Sequence, residues 1–287
     1  MAGTLFVVAT PIGNLEDITL RALRVLKEAD LVVAEDTRSA GVLLSRHGIK
    51  RPLLSCHEHN EEERAGEVIR ALAEGKRVAY ISEAGTPGVS DPGARLVRKV
   101  SMADHAVVPI PGPCAATAAL SASGFPADEF VFCGFLPPKA AARRKAVEAL
   151  ANEPRTLVFY EAPHRVQETL AALAAVLGDR RAAVFRELTK IHEEAVRGTL
   201  SEVASKVASK VPRGEFVLVV SGSPGPVTPA SVPSAELRSR VERLCAEGWS
   251  RRDAVDRVAK EAHLPRKTVY SVVHSTTDEN RSSSDDI

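Results

Sequence analysis

The chain of 287 residues lacks several features that would assign it to a specialised class of protein. It has four cysteines, Cys56, Cys114, Cys133 and Cys245, and no C-x-x-C pair, which argues against a zinc cluster and against a disulfide framework. No apolar run approaches the ~20 residues of a membrane-spanning helix, and the first strand pattern begins at Thr4, too early for a signal peptide. We therefore expect a reduced protein of the cytoplasm, with no membrane partner.

Aromatic residues and net charge are also scarce. Aromatic residues make up 4% of the chain, and the formal net charge is +1. Without a strong overall field, any nucleic acid must be bound by a local basic patch, and extensive base stacking is not expected. The chain has neither a G-x-G-x-x-G sequence nor a Walker sequence, which argues against a dinucleotide dehydrogenase and a P-loop NTPase.

One kind of loop, in contrast, occurs three times in the first 120 residues. The apolar runs 5–9, 77–81 and 106–110 each break into a loop rich in glycine and proline: T-P-I-G-N, E-A-G-T-P-G-V-S-D-P-G and P-G-P-C-A. Such loops build small-molecule sites at the carboxyl edge of a parallel sheet, although each could also be a purely structural turn. Three loops of one type favour a single ligand cleft.

The alternation of apolar runs with helical patterns predicts an α/β fold with a helical appendix. The predicted parts are a first lobe with a parallel sheet (1–123), a second α/β lobe (124–222), a linker rich in proline, glycine and serine (223–233), a helical appendix (234–274) and a disordered tail (275–287). Asn60 and Ser250 precede two predicted helices, and we expect both side chains to cap them.

Charged groups follow several predicted strands, and each group has a structural interpretation beside a functional one. Residues 35–38 either face the cleft or cap the next helix. Residues 57–61, H-E-H-N-E, do not have the H-E-x-x-H spacing, so we expect no metal there, and the segment either contacts the substrate or is a plain loop. Residues 160–165 and 186–190 combine opposite charges that fit either buried ion pairs or a catalytic site.

Basic residues are concentrated in two places. Arg143, Arg144 and Lys145 begin a helix of the second lobe, where they are either solvated or form a phosphate clamp. Residues 231–274 contain nine Lys and Arg against six Asp and Glu. That surface is either an ordinary solvated one or an RNA-binding one.

Eight motifs occur in a fixed order along residues 1–222. They are T-P-I-G-N (10–14), A-E-D-T-R (34–38), H-E-H-N-E (57–61), A-G-T-P with S-D-P-G (84–93), P-G-P-C-A (111–115), G-F-L-P (134–137), Y-E-A-P-H-R (160–165) and R-E-L-T-K (186–190). In this order they resemble the ribosomal RNA small subunit methyltransferase I family, a branch of the tetrapyrrole methylase superfamily.

The resemblance implies two α/β lobes of the tetrapyrrole methylase type, with a parallel sheet in the first lobe and a mixed sheet in the second. It implies a homodimer that uses S-adenosylmethionine to methylate the ribose 2′-hydroxyl of a cytidine in the decoding region of 16S rRNA, either free or in the 30S subunit. The cofactor contacts it implies are Pro11, Ile12, Gly13, Glu83, Gly85, Thr86, Cys114, Ala115 and Tyr160. Glu83 stands where many relatives carry aspartate.

Methyl transfer to a ribose hydroxyl needs alignment and a group that polarises the hydroxyl, but no metal. The candidates for that group are Glu161, His164, Glu187 and Lys190. The candidates for RNA phosphate contacts are Arg143, Arg144, Lys145 and Arg165.

Three other functions remain open at this point. A methylase of a small tetrapyrrole precursor would use the same cofactor cleft but would have little use for the basic clusters. An RNA-binding module without activity would leave the three loops unused. A metal-dependent hydrolase would need His57 and His59 as ligands.

Overall fold

The computed structural model describes residues 3–57, 59–209, 212–224, 233–262 and 264–274. The chain divides into two compact units, Met1–Ser223 and Pro224–Ile287. Most of the predicted linker and all of the predicted tail 275–287 lie outside the described residues.

Ten strands and eleven α-helices are assigned in the described residues. The strands are β1 (Thr4–Val8), β2 (Leu31–Ala34), β3 (Leu53–Ser55), β4 (Arg77–Ile81), β5 (Ala106–Ile110), β6 (Phe130–Phe135), β7 (Thr156–Glu161), β8 (Arg181–Arg186), β9 (Glu194–Thr199) and β10 (Phe216–Val220). The helices are α1 (Leu20–Glu28), α2 (Thr37–Arg46), α3 (Glu61–Ala73), α4 (Ala94–Met102), α5 (Ala115–Ser123), α6 (Ala140–Glu148), α7 (Val166–Leu177), α8 (Leu200–Ala208), α9 (Ser234–Ala246), α10 (Arg251–Glu261) and α11 (Arg266–His274), and a 3-10 helix spans Leu15–Asp17.

The first sheet has the order β3-β2-β4-β1-β5, and all of its strands are parallel. Helices α1 and α2 cover one face and α3 and α4 the other. The connection from β1 to β2 runs through α1 on one face of the sheet, and the connection from β4 to β5 runs through α4 on the other face. The carboxyl ends of β1 and β4 therefore form a topological switch point, where open α/β sheets bind their ligands.

The second sheet has the order β6-β7-β10-β8-β9 and is mixed. Only β6 and β7 pair in parallel, while β10 is antiparallel to both β7 and β8, and β8 is antiparallel to β9. Strand β10 is buried along its whole length because it lies at the centre of this sheet. The expected α/β class, with one parallel and one mixed sheet, is confirmed.

Helix α5 connects the two sheets in an unexpected way. The sequence pattern assigns this helix to the first lobe, but Ala116, Ala119 and Leu120 pack against Val158 and Phe185 of the second sheet. Helices α6, α7 and α8 cover the opposite face of that sheet. The loop that follows β5 therefore runs directly from the first sheet onto the second.

The second unit contains α9, α10 and α11 around a small apolar core. Ser250 accepts a hydrogen bond of 3.2 Å from the backbone N–H of Asp253, so the predicted cap of α10 is confirmed. The prediction for Asn60 is wrong, because its side chain makes no cap bond to α3 and accepts instead from the N–H of His57 at 2.7 Å.

Among the described residues, no helix is long and apolar enough to cross a membrane. In the same part of the chain, no group of three or more histidine, cysteine, aspartate or glutamate side chains is arranged to hold a metal ion.

Candidate active site

A cavity of about 320 Å³ lies where the carboxyl edge of the first sheet meets the second lobe. Its volume falls at the lower end of the range found for small-molecule sites. Its walls include Ile12, Gly85, Thr86, Asp91, Cys114 and Ala115 from the first lobe, and Phe135, Tyr160, Glu161, Pro163, Glu215 and Val217 from the second. The three loops that the sequence groups together thus border one cavity.

The loops after β1 and β4 are joined by backbone hydrogen bonds. Thr10 and Gly85 exchange two such bonds, of 2.8 and 3.1 Å. Gly85 has a φ of 79°, and a Cβ at this position would lie 3.3 Å from the Cγ2 of Ile12. A glycine is therefore needed both for the backbone conformation and for the close approach of Ile12.

The loop after β5 is held by one contact from each lobe. The hydroxyl of Thr86 donates to the carbonyl of Pro113 at 3.0 Å. The hydroxyl of Tyr160 accepts from the N–H of Ala116 at 3.0 Å, in the first turn of α5, which has no side-chain cap of its own. Phe132 and Phe135 pack edge-on against the Tyr160 ring, with centroids 4.9 and 5.7 Å away. Burial raises the pKa of this tyrosine.

Asp91 in the cavity wall and three carboxylates near it, Glu35, Asp36 and Glu83, make this side of the site negative. Burial raises the pKa of Asp91, which lines the cavity, and the charge of Glu83 raises it further, against the hydrogen bond to Ser82 that lowers it. Burial also raises the pKa of Glu35, and the charges of Asp91, Glu83 and Asp36 add to this effect. Carboxylates that disfavour one another's charge in a partly desolvated site favour a ligand with positive charge.

Comparisons with known proteins agree with this geometry. Residues 4–204 match the family model described as tetrapyrrole (corrin/porphyrin) methylases. The chain is 44% identical to the ribosomal RNA small subunit methyltransferase I of Halalkalibacterium halodurans, over 95% of this chain and 95% of that protein. It is 53% identical to the protein of the same name from Pseudomonas aeruginosa, over 83% of this chain and 85% of that protein.

The chain belongs to the ribosomal RNA small subunit methyltransferase I family. Its fold is also similar to that of a uroporphyrin-III C-methyltransferase from Thermus thermophilus solved with S-adenyl homocysteine. The TM-score is 0.54 at 21% identity, with 76% of this chain and 97% of that chain covered. The family membership agrees with the resemblance carried by the eight motifs.

The nine cofactor positions expected for a member of this family do not all reach the cavity. Ile12, Gly85, Thr86, Cys114, Ala115 and Tyr160 line it. Pro11 is buried beside it, and Gly13 packs against the side chain of Lys190. The side chain of Glu83 is exposed and does not line the cavity, whereas Asp91, eight residues further along the same loop, does.

Two of the four candidate catalytic groups differ sharply in their surroundings. The buried carboxylate of Glu161 accepts from the hydroxyl of Thr169 at 2.6 Å and from the N–H of Ala162 at 2.9 Å, and it lies 3.4 Å from Arg165. These contacts favour a structural role for Glu161 in the methyltransferase fold. His164 is exposed and does not line the cavity.

The other two candidates form one charged cluster beside the cavity. Lys190 donates to Glu187 at 2.9 Å and to Glu215, a cavity residue, at 3.0 Å. Glu187 also accepts from the N–H of Glu215 at 3.1 Å. Burial opposes the charge of Lys190, but the two carboxylates outweigh burial and raise its pKa, while the bond to Lys190 lowers the pKa of Glu187. At neutral pH Lys190 is therefore a hydrogen-bond donor and Glu187 an ionised acceptor.

This cluster also contacts the first lobe. The N–H of Asn14 donates to the hydroxyl of Thr189 at 3.1 Å. A Cβ at Gly13 would collide with the Cγ of Lys190. Thr189 and Glu187 both have positive φ, 66° and 53°, which is costly for residues other than glycine. The strained loop of the second lobe thus supports the loop that carries Ile12.

The four candidate RNA contacts separate into two pairs. The Arg143 side chain is only 5% exposed and pairs with Glu168 at 2.8 Å, and Arg165 donates to the carbonyl of Leu136 at 2.5 Å. Their contacts favour a structural role. Arg144, at 74% exposure, and Lys145 lie on the surface and are accessible to a phosphate.

Three residues that line the cavity, Asp91, Phe135 and Glu215, are not among the predicted contacts. Asp91 lies in the same loop as Glu83, Gly85 and Thr86, but of the two carboxylates in that loop only Glu83 is predicted to contact the cofactor. Phe135 and Glu215 come from the second lobe: Phe135 lies in the G-F-L-P motif but has no predicted contact, and Glu215 lies in none of the eight motifs. Glu215 in particular precedes a buried strand and becomes notable only because Lys190 reaches it.

Proposed function

We propose that this protein is an S-adenosylmethionine-dependent methyltransferase that modifies small-subunit ribosomal RNA. In finer detail, we propose that it methylates the ribose 2′-hydroxyl of a cytidine in the decoding region of 16S rRNA. The observation that carries the proposal is the cavity at the switch point of the first sheet, closed by Tyr160 and Glu215 of the second lobe, in a chain of this family. The names of the relatives supply the substrate class.

The cavity residues fit the proposed cofactor. When bound, S-adenosylmethionine supplies an activated methyl group on a positively charged sulfonium. Asp91 in the cavity wall and Glu35 outside it have raised pKa values, first through burial and then through neighbouring carboxylates, so a cation in the cavity would relieve their repulsion. Gly85 allows the backbone to approach the ligand closely, and Ile12 and Tyr160 supply apolar walls.

The cluster of Glu187, Lys190 and Glu215 is the best-placed group to act on the ribose hydroxyl. It lies at the second-lobe side of the cavity and contains both an ionised carboxylate and a protonated amine. The carboxylate of Glu187 would accept the hydroxyl proton, and Lys190 would keep that carboxylate ionised. Such polarisation contributes about 10²- to 10⁴-fold in general acid–base catalysis.

Transfer of labelled methyl groups from S-adenosylmethionine tests the proposal directly. The acceptors are 30S subunits, naked 16S rRNA and a tetrapyrrole precursor, assayed side by side. We expect label in the RNA, recovered in an alkali-resistant dinucleotide, because 2′-O-methylation blocks cleavage at that linkage. Label in the tetrapyrrole alone would overturn the proposed substrate, and label in an alkali-sensitive position would overturn the ribose site.

We further propose that the protein acts in the cytoplasm as a homodimer. The family resemblance supports this state, and sedimentation of the purified protein tests it. A single species with twice the monomer mass of 30.7 kDa is expected, whereas a monomer at assay concentration would refute it.

A further inference from the structure

The helical unit has a surface depression that the proposed methyl transfer does not use. Its volume is about 290 Å³, and it is lined by Arg251, Arg252, Val255, Arg266, Tyr270 and His274. We call it the arginine pocket. It is formed by one side of α10 and one side of α11, so it lies entirely within the second unit.

Two of the three arginines of the arginine pocket carry positive charge that no ion pair neutralises among the described residues. Arg251 and Arg252 are exposed and have no ion pair among the described residues. Arg266 pairs with Asp256 at 2.7 Å, but Asp256 does not line the pocket. Asp253, the other carboxylate of α10 in this region, is hydrogen-bonded to Ser250 at 2.6 Å. The lining of the pocket therefore contains no carboxylate, and Arg251 and Arg252 remain available to an anionic ligand.

The positions of these cations are unfavourable for the helices themselves. Arg251 and Arg252 occupy the first turn of α10, and Arg266 and Lys267 the first turn of α11. The amino end of a helix carries partial positive charge and is stabilised by acidic side chains, so basic side chains there oppose the helix dipole. An anion bound in the pocket would offset this repulsion at the arginines that line it.

The pocket also has an exposed aromatic wall. The Tyr270 side chain is 53% exposed, and its ring lies 4.2 Å from the ring of His274 at an angle of 38°. Val255 beneath them is buried in the apolar core of the unit. An exposed ring beside guanidinium groups suits a ligand that combines a planar base with a phosphate.

We propose that the arginine pocket binds one nucleotide of a single-stranded segment of the RNA substrate. Arg251 and Arg252 contact phosphates, and the base stacks on Tyr270. The choice of RNA as ligand rests on the proposed function. The residues that line the pocket indicate where on this chain the RNA is bound. An acidic protein segment would match the charge but would not use the exposed ring as a nucleotide base does.

Binding of a short, fluorescein-labelled single-stranded RNA to the full chain tests the proposal by anisotropy, without cofactor, over a series of salt concentrations. In Arg251→Ala/Arg252→Ala, the slope of log Kd against log salt should fall by about 1.4, because each lost phosphate contact on a single strand is worth about 0.7. Tyr270→Ala should weaken binding about 5- to 150-fold, the range measured for loss of one stacked base, and Tyr270→Phe should bind as the native protein does.

The matched control removes the same charge elsewhere on the helical unit. Arg240→Ala/Arg243→Ala changes two arginines of α9 that do not line the pocket, and it should retain the native salt slope. Circular dichroism at the assay temperature confirms that each variant is folded. A native slope in the Arg251/Arg252 variant, or native affinity in Tyr270→Ala, would overturn the proposal, as would binding of acidic peptide in place of RNA.

The native protein and the two pocket variants also distinguish a failure of RNA binding in the arginine pocket from a failure of the proposed function. If native protein binds RNA through the pocket but transfers no methyl group to 16S rRNA or 30S subunits, the proposed function fails and the pocket stands. If native protein methylates RNA while both pocket variants bind it with native affinity and slope, the pocket fails alone.

Discussion

Tyr160→Phe removes one oxygen atom from the junction between the lobes. That oxygen accepts the N–H of Ala116 at 3.0 Å, and Ala116 is itself buried in the first turn of α5. Without the hydroxyl, the N–H has no partner on the second sheet. Leaving a buried donor unpaired costs about 1–3 kcal/mol, so we expect the free energy of unfolding to fall by this amount.

Tyr80→Phe is the matched control within the same unit. Tyr80 is fully buried in β4, and among the described residues its hydroxyl has no hydrogen-bond partner. Removing a buried hydroxyl that makes no bond relieves a desolvation cost and leaves no partner unpaired. We therefore expect Tyr80→Phe to be as stable as the native protein or more stable, although the two substitutions are chemically identical.

Urea unfolding followed by far-UV circular dichroism measures the difference. The midpoint should fall for Tyr160→Phe with an unchanged m-value, and Tm should fall by roughly 2–12 °C, since 1 kcal/mol corresponds to ~2–4 °C in a unit of this size. The ring of Tyr160 stays in place, so affinity for S-adenosylmethionine should change little. A native midpoint in Tyr160→Phe, or equal losses in both variants, would refute the role of this hydroxyl.

Three further predictions concern charged groups. Asp91→Asn should weaken binding of S-adenosylmethionine, and Glu83→Gln should not. Because the pKa of Asp91 is raised, acidification should begin to weaken binding by the native protein at a pH above the ordinary titration range of aspartate. Equal dissociation constants for the two variants, measured by calorimetry, would contradict the role of Asp91. Glu187→Gln should lower the single-turnover rate by about 10²-fold or more, with little effect on cofactor binding. Lys190→Ala should lower the rate and also weaken cofactor binding, because the lysine stem supports the loop that carries Ile12. Unchanged single-turnover rates in both variants would remove the two residues from the mechanism. Glu161→Gln should lower the free energy of unfolding by about 1–3 kcal/mol, because Ala162 and Thr169 donate to different oxygens of Glu161 and glutamine has only one acceptor oxygen. A stable variant with lost turnover would instead favour a catalytic role.

The parts of the fold that sequence predicts are those with a strong apolar signal. Strand β10, F-V-L-V-V, is buried at every position and is evident from composition alone. The sequence pattern does not predict strands β3 and β9, and both lie at a sheet edge with only one neighbour. Strand β3 has three residues, and β9 reads E-A-V-R-G-T with no buried position. Edge strands that are short or charged avoid aggregation, and for the same reason they lack the apolar pattern of a core strand.

The failure of Asn60 as a cap has a similar physical cause. Its side chain has the right chemistry, but it bonds the N–H of His57 in its own loop instead. Next to it, Glu61 begins α3 yet accepts from the N–H of Leu96 at 2.8 Å, in the first turn of α4. Gly93, which precedes α4, has no side chain to cap it. Local sequence shows which groups can cap a helix, but tertiary contacts decide which helix they cap.

In the candidate site, too, the sequence predicts the type of residue but not its exposure. The loops of the first lobe could be grouped from sequence because their glycines and prolines mark strand ends, and parallel strands bring those ends to one edge. Within the loop after β4, however, Glu83 and Asp91 are both acidic, and only burial distinguishes the exposed one from the one in the cavity. Arg143 and Lys145 differ in the same way. Residue type predicts the chemistry at such positions, whereas exposure depends on the whole fold.

The contact between Gly13 and Lys190 couples the two halves of the site. Lys190 binds Glu187 and Glu215 through its amine, and its stem packs against the backbone at Gly13, one residue from Ile12 in the cavity wall. A substrate that draws Glu187 or Glu215 away from Lys190 would therefore loosen the support of the Ile12 loop. Cofactor affinity and substrate binding should then depend on each other through this lysine, as linkage between two sites that share one structural element requires.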